Sequence, residues 1–198
     1  MYKLIFALFI IILITSGCTT NKENTSNMQQ EQTLALDNSK SGETQLAAAI
    51  KSYVEDQYNL NLSIMNIEEV QHFSEMSVAA FTYQNNKIDY NGIVVAVEEG
   101  DKWVIKEIDI IETDTKIDLT RQQLIGSVST GRKYHIVTGY IGDKKIKSIE
   151  LIYDNGDYIE KIIGDDQKYY LDVVFGEVRL ESIAARNKNG RVVFEETY

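Results

Sequence analysis

The chain has few of the side chains on which common catalytic and metal sites depend. Its 198 residues include one cysteine, Cys18, and two histidines, His72 and His135. A single cysteine excludes an intramolecular disulfide and a cysteine-rich metal cluster. The sequence has no HExxH motif and no pair of histidines at metal-ligand spacing, so we expect no metal site and no cofactor.

Basic residues are also in short supply. The chain has 20 Lys and Arg against 30 Asp and Glu, a net charge of −10. Proteins that bind nucleic acid need a basic face to neutralise phosphates. The charge therefore excludes nucleic acid from the expected partners.

The one long apolar run lies at the N-terminus. Eleven apolar residues, 4–14, follow Lys3, and the small residues Ser16 and Gly17 precede Cys18. The run is shorter than the about 20 residues that span a bilayer. Its layout is typical of a secretory signal. The alternative is an uncleaved N-terminal anchor with an incidental thiol.

The stretch ending in Ser16-Gly17-Cys18 resembles the lipobox of bacterial lipoproteins. The resemblance covers residues 1–18. It implies that residues 1–17 are a signal peptide cut just before Cys18, and that the Cys18 thiol carries a diacylglyceryl group. The protein would then be lipid-anchored at the outer face of the bacterial plasma membrane, with the membrane as a partner through Cys18.

Residues 18–43 are polar and have almost no aromatic or β-branched apolar side chains. Such a segment buries too little surface to offset its ordering entropy, so we expect a disordered tether. Ser41 or Thr44 would cap a following helix, whose apolar stripe recurs at three- and four-residue steps: Leu46, Ala49, Ile50, Tyr53, Val54 and Tyr58. Asn59 or Asn61 would end this helix.

Residues 44–112 are predicted to form an α+β domain. Strand-like runs follow the helix at residues 60–70, 76–83, 92–97 and 102–111, with a hairpin signal at 99–101. A helix packed on an antiparallel sheet buries one face of that sheet. The order of elements resembles cystatin-like and nuclear-transport-factor-like domains and the PepSY domain.

Residues 113–123 are polar without a sustained period, and we predict a linker there. Residues 124–198 carry short strands at 133–141, 145–153, 158–163, 169–175, 178–185 and 192–195. Asn155-Gly156 favours a type I′ turn between two of them. This spacing predicts a small all-β sandwich, and the segment resembles the immunoglobulin-like modules of bacterial surface proteins. The expected fold class is therefore α+β, with the sandwich following the helix-and-sheet domain.

Candidate catalytic and metal sites are weak. His72 and His135 stand alone and are interpreted as structural or exposed. Ser127 lies near His135 in sequence but lacks a nucleophile elbow. The turns 154–157 and 164–166 are acidic calcium candidates that hairpins explain better.

The expected function is a non-enzymatic binding surface on an anchored lipoprotein, presented to an envelope protein or to cell-wall material. The twelve tyrosines favour interfaces and sugar faces as a group. The alternative is an enzyme or enzyme inhibitor whose pocket lies between the helix and the sheet of the first domain.

Overall fold

The computed structural model describes the backbone of residues 25–198 and the side chains from residue 42. Cys18 and the predicted signal peptide lie outside the described residues. The elements, in chain order, are helix α1 (Thr25–Tyr58) and strands β1 (Met65–His72), β2 (Ser77–Asn85), β3 (Ile88–Glu99), β4 (Lys102–Glu112), β5 (Gln122–Ser127), β6 (Lys133–Tyr140), β7 (Ile146–Tyr153), β8 (Tyr158–Ile162), β9 (Tyr169–Phe175), β10 (Leu180–Asn187) and β11 (Val192–Thr197).

The α+β prediction is wrong, because the described residues form one helix and eleven strands in three antiparallel sheets. The N-terminal sheet has the order β1-β2-β3-β4. The middle sheet has the order β5-β6-β9, and the C-terminal sheet has the order β11-β10-β7-β8. The protein is mainly β, and residues 40–198 form one compact unit.

Alternating side chains of the strands explain how the sheets stack. On β2, Ala79 and Phe81 join a core cluster with the helix residues Leu46 and Ile50. Their neighbours Val78 and Ala80 join a second cluster, which includes Tyr134, Ile136 and Leu171 of the middle sheet. A continuous apolar run is typical of a strand buried on both faces. The helix therefore covers one face of a sheet whose other face carries a second β layer, which the α+β prediction left out.

The middle sheet is also buried on both faces. Val137 and Tyr170 point away from the N-terminal sheet and share a third cluster with Ile149, Leu151 and Ile183 of the C-terminal sheet. The strands of residues 124–198 thus form two sheets that share a core.

The predicted linker does not separate two cores in this structure. Leu119 is 3% exposed and belongs to the third cluster, and Gln122 begins β5. The second cluster contains residues from both sides of the segment. Strand β5 was not predicted, because its first residues Gln122 and Gln123 continue the polar segment and its remaining apolar run is short.

Helix α1 begins at Thr25, so residues 25–43 are helical where a tether was expected. This stretch contains no proline and one glycine, Gly42, and several of its residues, such as Met28, Gln29 and Glu31, have high helix propensity. The helix ends as predicted. Asn59 adopts a left-handed φ of 51°, and the Leu60 amide donates to the Glu55 carbonyl at 3.0 Å, which closes the C-terminus.

Candidate ligand-binding clefts

A buried polar network joins the N-terminal and middle sheets. The side-chain amide of Asn91 donates to Gln122 Oε1 at 2.7 Å, and the Thr113 hydroxyl donates to Asn91 Oδ1 at 2.8 Å. Gln122 in turn donates to Asp109 Oδ2 at 2.9 Å. Every buried side-chain polar atom in the described part of the chain has a partner. Because unpaired polar groups are costly to bury, this network holds the two sheets in one register.

A cleft of about 340 Å³, which we call the tyrosine cleft, opens beside this network. Its lining comes from the ends of β1, β2 and β3, from the segment after β4, and from the middle sheet: Ile64, Asn66, Glu68, Thr82, Tyr83, Gln84, Asp89, Tyr90, Thr113, Thr115, Tyr140, Lys168 and Tyr169. A volume of this order is within the range of small-ligand sites.

Two tyrosines of the middle sheet form one wall of the tyrosine cleft. Tyr140 and Tyr169 are directly opposed on β6 and β9, and their ring centroids are 5.5 Å apart at an angle of 59°. Burial raises the pKa of Tyr169 to about 12, and the charges of Glu68 and Asp89 add to the shift. The phenol is therefore protonated at neutral pH and both donates and accepts hydrogen bonds.

Two carboxylates that line the same cleft are held in place by hydrogen bonds. Glu68 Oε1 accepts from the Thr82 hydroxyl at 2.6 Å, and Asp89 Oδ1 accepts from Gln84 Nε2 at 2.8 Å. Each of these hydrogen bonds engages one oxygen of its carboxylate. The cleft thus combines aromatic surface with oriented acceptors, a combination suited to ligands that carry hydroxyl groups.

A second cleft of about 220 Å³ adjoins the first. Tyr140 and Lys168 line both, so these two residues form a shared wall. The second cleft is rich in charge of both signs. Lys147 Nζ lies 2.7 Å from Asp165 Oδ1, which lowers the pKa of that carboxyl group.

The two histidines do not form a catalytic pair. His72 is exposed, and its Nδ1 lies 2.7 Å from Ser77 Oγ, but Ser77 is only 3% exposed and presents no accessible nucleophile. His135 is buried between the middle and C-terminal sheets and lies 3.1 Å from the Val178 carbonyl through Nδ1. Burial lowers its pKa. No described hydrogen bond joins Ser127 to His135.

The acidic turns serve local structure. The amide of Arg179 donates to Asp154 Oδ1 at 2.9 Å, and Asp165 pairs with Lys147. Within residues 42–198 no group of three His, Cys, Asp or Glu side chains is placed to hold a metal ion. The expectation that calcium does not stabilise the fold stays a prediction.

The buried contact between helix and sheet is filled by apolar side chains. Leu46, Ile50 and Val54 of α1 are at most 1% exposed and pack with Ala79 and Phe81. An open depression of about 600 Å³ lies at the edge of this contact and is lined by α1 and β1: Glu43, Thr44, Ala47, Ile67, Glu68, Glu69 and Val70. The alternative function, with a pocket between helix and sheet, therefore stays a prediction.

The two clefts lie elsewhere. The tyrosine cleft lies at the contact between the N-terminal and middle sheets, and the second cleft is lined by the end of β6, the start of β7 and the segment between β8 and β9. Sequence patterns did not bring these elements together.

Tyr140 and Tyr169 were not distinguished from the other ten tyrosines in the sequence. Each stands at the end of an apolar strand close to polar residues, and this position was the available signal in the sequence.

No helix in the described part of the chain has the length and apolar character to span a membrane. In comparisons with known proteins, no family model, no curated protein and no solved structure matches this chain.

Proposed function

We propose that this protein is a bacterial lipoprotein, anchored through Cys18 at the outer face of the plasma membrane, that binds cell-wall material in its tyrosine cleft without transforming it. The signal-like run and Ser16-Gly17-Cys18 support the anchor. The geometry of the cleft supports the binding role.

The observation that carries the binding role is that the Tyr140–Tyr169 pair and the hydrogen-bonded carboxylates of Glu68 and Asp89 line one cleft. Aromatic rings provide apolar area for the faces of sugar rings, and carboxylates accept hydrogen bonds from hydroxyl groups. Cell-wall glycan offers both features.

The described residues favour binding over catalysis. Catalysis by a serine or cysteine needs an accessible nucleophile, a base and a group that orients the base. Ser77 has a histidine neighbour but is buried, and within residues 42–198 no carboxylate accepts a hydrogen bond from His72.

Sedimentation with purified, protein-free cell walls tests the binding role. Residues 19–198 should pellet with the walls, and Tyr140→Ala and Tyr169→Ala should each weaken binding about tenfold or more, since truncating a central aromatic contact costs about 2 kcal/mol. Tyr158→Ala is the matched control, because Tyr158 is 53% exposed on β8 and lines neither cleft. Equal binding by all four proteins would refute the role of the cleft.

The anchor is tested separately by Cys18→Ser in the full chain. We expect this variant to remain an uncut precursor, larger than the mature protein by the signal peptide of residues 1–17, and to incorporate no labelled fatty acid, since it has no thiol to acylate. A variant that matures to the same size and incorporates labelled fatty acid like the wild type would disprove the lipoprotein assignment.

A further inference from the structure

The two clefts adjoin at two residues, and we call the pair of clefts the groove. Tyr140 and Lys168 line both the tyrosine cleft and the second cleft. A ligand that extends from the tyrosine cleft into the second cleft therefore passes Lys168. The charge of this side chain then acts on whatever group the ligand places there.

Lys168 carries an uncommitted positive charge. Its side chain is exposed, and none of the seven ion pairs in the described part of the chain includes it. Among the described residues, it is also the only cation that lines the tyrosine cleft. In the second cleft, Lys147 is already paired with Asp165, whereas Lys144 is exposed and belongs to none of these ion pairs.

The surrounding acids restrict where an anionic group can bind. Glu68 and Asp89 lie within the tyrosine cleft, and Asp143, Asp165 and Asp166 line the second cleft. A carboxylate on a ligand is repelled by the two acids of the tyrosine cleft and attracted by Lys168, which lines both clefts. The acids of the second cleft are accompanied by Lys144 and Lys147, so repulsion is weaker there. The net charge of −10 further disfavours a ligand with many negative charges.

Resting on the proposed function, we infer that the groove binds a carbohydrate that carries one carboxylate. A neutral sugar ring packs on Tyr140 and Tyr169, with its hydroxyl groups on Glu68 and Asp89. The carboxylate of the adjoining residue pairs with Lys168 at the shared wall. Uronic acids and sugars with a carboxyalkyl substituent have this chemistry.

Two matched probes measure how much the carboxylate charge contributes to binding. Cellobiouronic acid is a disaccharide with one carboxylate, and its methyl ester has nearly the same shape without the charge. NMR titrations of residues 19–198 at low ionic strength should give about three- to fivefold tighter binding of the acid, the range expected for an exposed ion pair. This ratio should approach one in 0.5 M salt.

Lys168→Gln should abolish the preference for the acid while binding the ester within about twofold of the wild type. Lys188→Gln is the control, since Lys188 lies in the β10–β11 hairpin and lines neither cleft. The control should keep the full preference.

Equal affinities for acid and ester, or a preference that survives in Lys168→Gln, would overturn the inference. If the ester still binds and Tyr140→Ala weakens it, the proposed function stands while the inference fails. If neither probe binds but cell-wall sedimentation depends on Tyr140, the inference is again the part that fails. If sedimentation is also independent of Tyr140, both are wrong.

Discussion

At the scale of single residues, His135 links the middle and C-terminal sheets through a chain of polar contacts. With Nδ1–H donated to the Val178 carbonyl, the neutral ring accepts at Nε2 from the side-chain amide of Gln123, 2.7 Å away. The amide oxygen of Gln123 then accepts from Arg121, whose guanidinium stacks 3.7 Å from the ring centroid of Tyr198. Protonation of His135 would turn the Nε2 acceptor into a donor and break the hydrogen bond from Gln123.

This arrangement predicts a loss of stability in mild acid. Burial lowers the pKa of His135, although the charges of Asp154 and Asp172 oppose the shift and that of Arg121 supports it. The unfolded chain therefore takes up a proton near pH 6.5, before the folded protein does. The contribution of neutral His135 to the free energy of unfolding is complete above that pH. Between that pH and the lower folded-state pKa, it decreases by up to about 1.4 kcal/mol for each pH unit.

Urea unfolding of the wild type, His135→Gln and His72→Gln between pH 7.5 and 5.0 measures this effect. The slope of unfolding free energy against pH should be shallower in His135→Gln than in the other two proteins. Identical slopes in all three would show that His135 does not titrate as the structure implies.

At the scale of elements, turn chemistry was only partly predictable. The β2–β3 hairpin closes with the two-residue loop Asn86-Lys87, whose φ values of 50° and 69° are those of a type I′ turn. The type I′ turn predicted at Asn155-Gly156 is wrong. Only Gly156 has positive φ there, at 86°, and the Tyr153 amide bonds to the Asp157 carbonyl across a longer loop. Asn-Gly indicated a hairpin correctly, but loop length decided the turn type.

Replacing Lys87 by glycine should stabilise the protein by up to about 1 kcal/mol. A non-glycine residue in the left-handed region is destabilised by roughly 1–2 kcal/mol, and glycine avoids this cost. The larger entropy of glycine in the unfolded chain offsets part of the resulting stabilisation. Lys188→Gly is the control. Lys188 occupies a hairpin turn without positive φ, so this change should destabilise slightly. Thermal melts compare the two variants, and a lower melting temperature for Lys87→Gly would contradict the turn assignment.

Strand positions could be predicted from sequence far better than the way the sheets stack. Ten of the eleven strands overlap predicted runs, and Gln122–Ser127 is the exception. Apolar runs such as Val78–Phe81 reveal buried strands, but they do not reveal which layer covers each face. The tyrosine cleft depends on that stacking, since Glu68 and Tyr169 come from different sheets 101 positions apart in the chain. Its location therefore required the structure.

At the scale of the whole molecule, the shared core predicts one cooperative unit. The cluster containing Val78, Ile93, Tyr134 and Leu171 joins residues on both sides of positions 113–123, and Leu119 packs in the third cluster. Separating these sheets would expose the buried faces of both. Because small domains are only marginally stable, we expect the sheets to unfold together.

Limited proteolysis of residues 19–198 should therefore leave a protected fragment that begins near residue 40 and extends to residue 198. Calorimetry should show one transition whose calorimetric and van't Hoff enthalpies agree. Early cleavage between residues 113 and 132, with two stable fragments, would instead support the linker predicted from sequence.

The central claim is that the tyrosine cleft binds cell-wall glycan, and chemical-shift mapping tests it most directly. Residues 19–198, labelled with ¹⁵N, would be titrated with soluble disaccharide-peptide fragments of purified peptidoglycan. The account predicts that amide signals of Glu68, Asp89, Tyr140, Lys168 and Tyr169 shift in a saturable manner, while those of β8 and β11 stay in place. Saturable shifts confined to other surfaces, or no shifts at millimolar ligand, would contradict it.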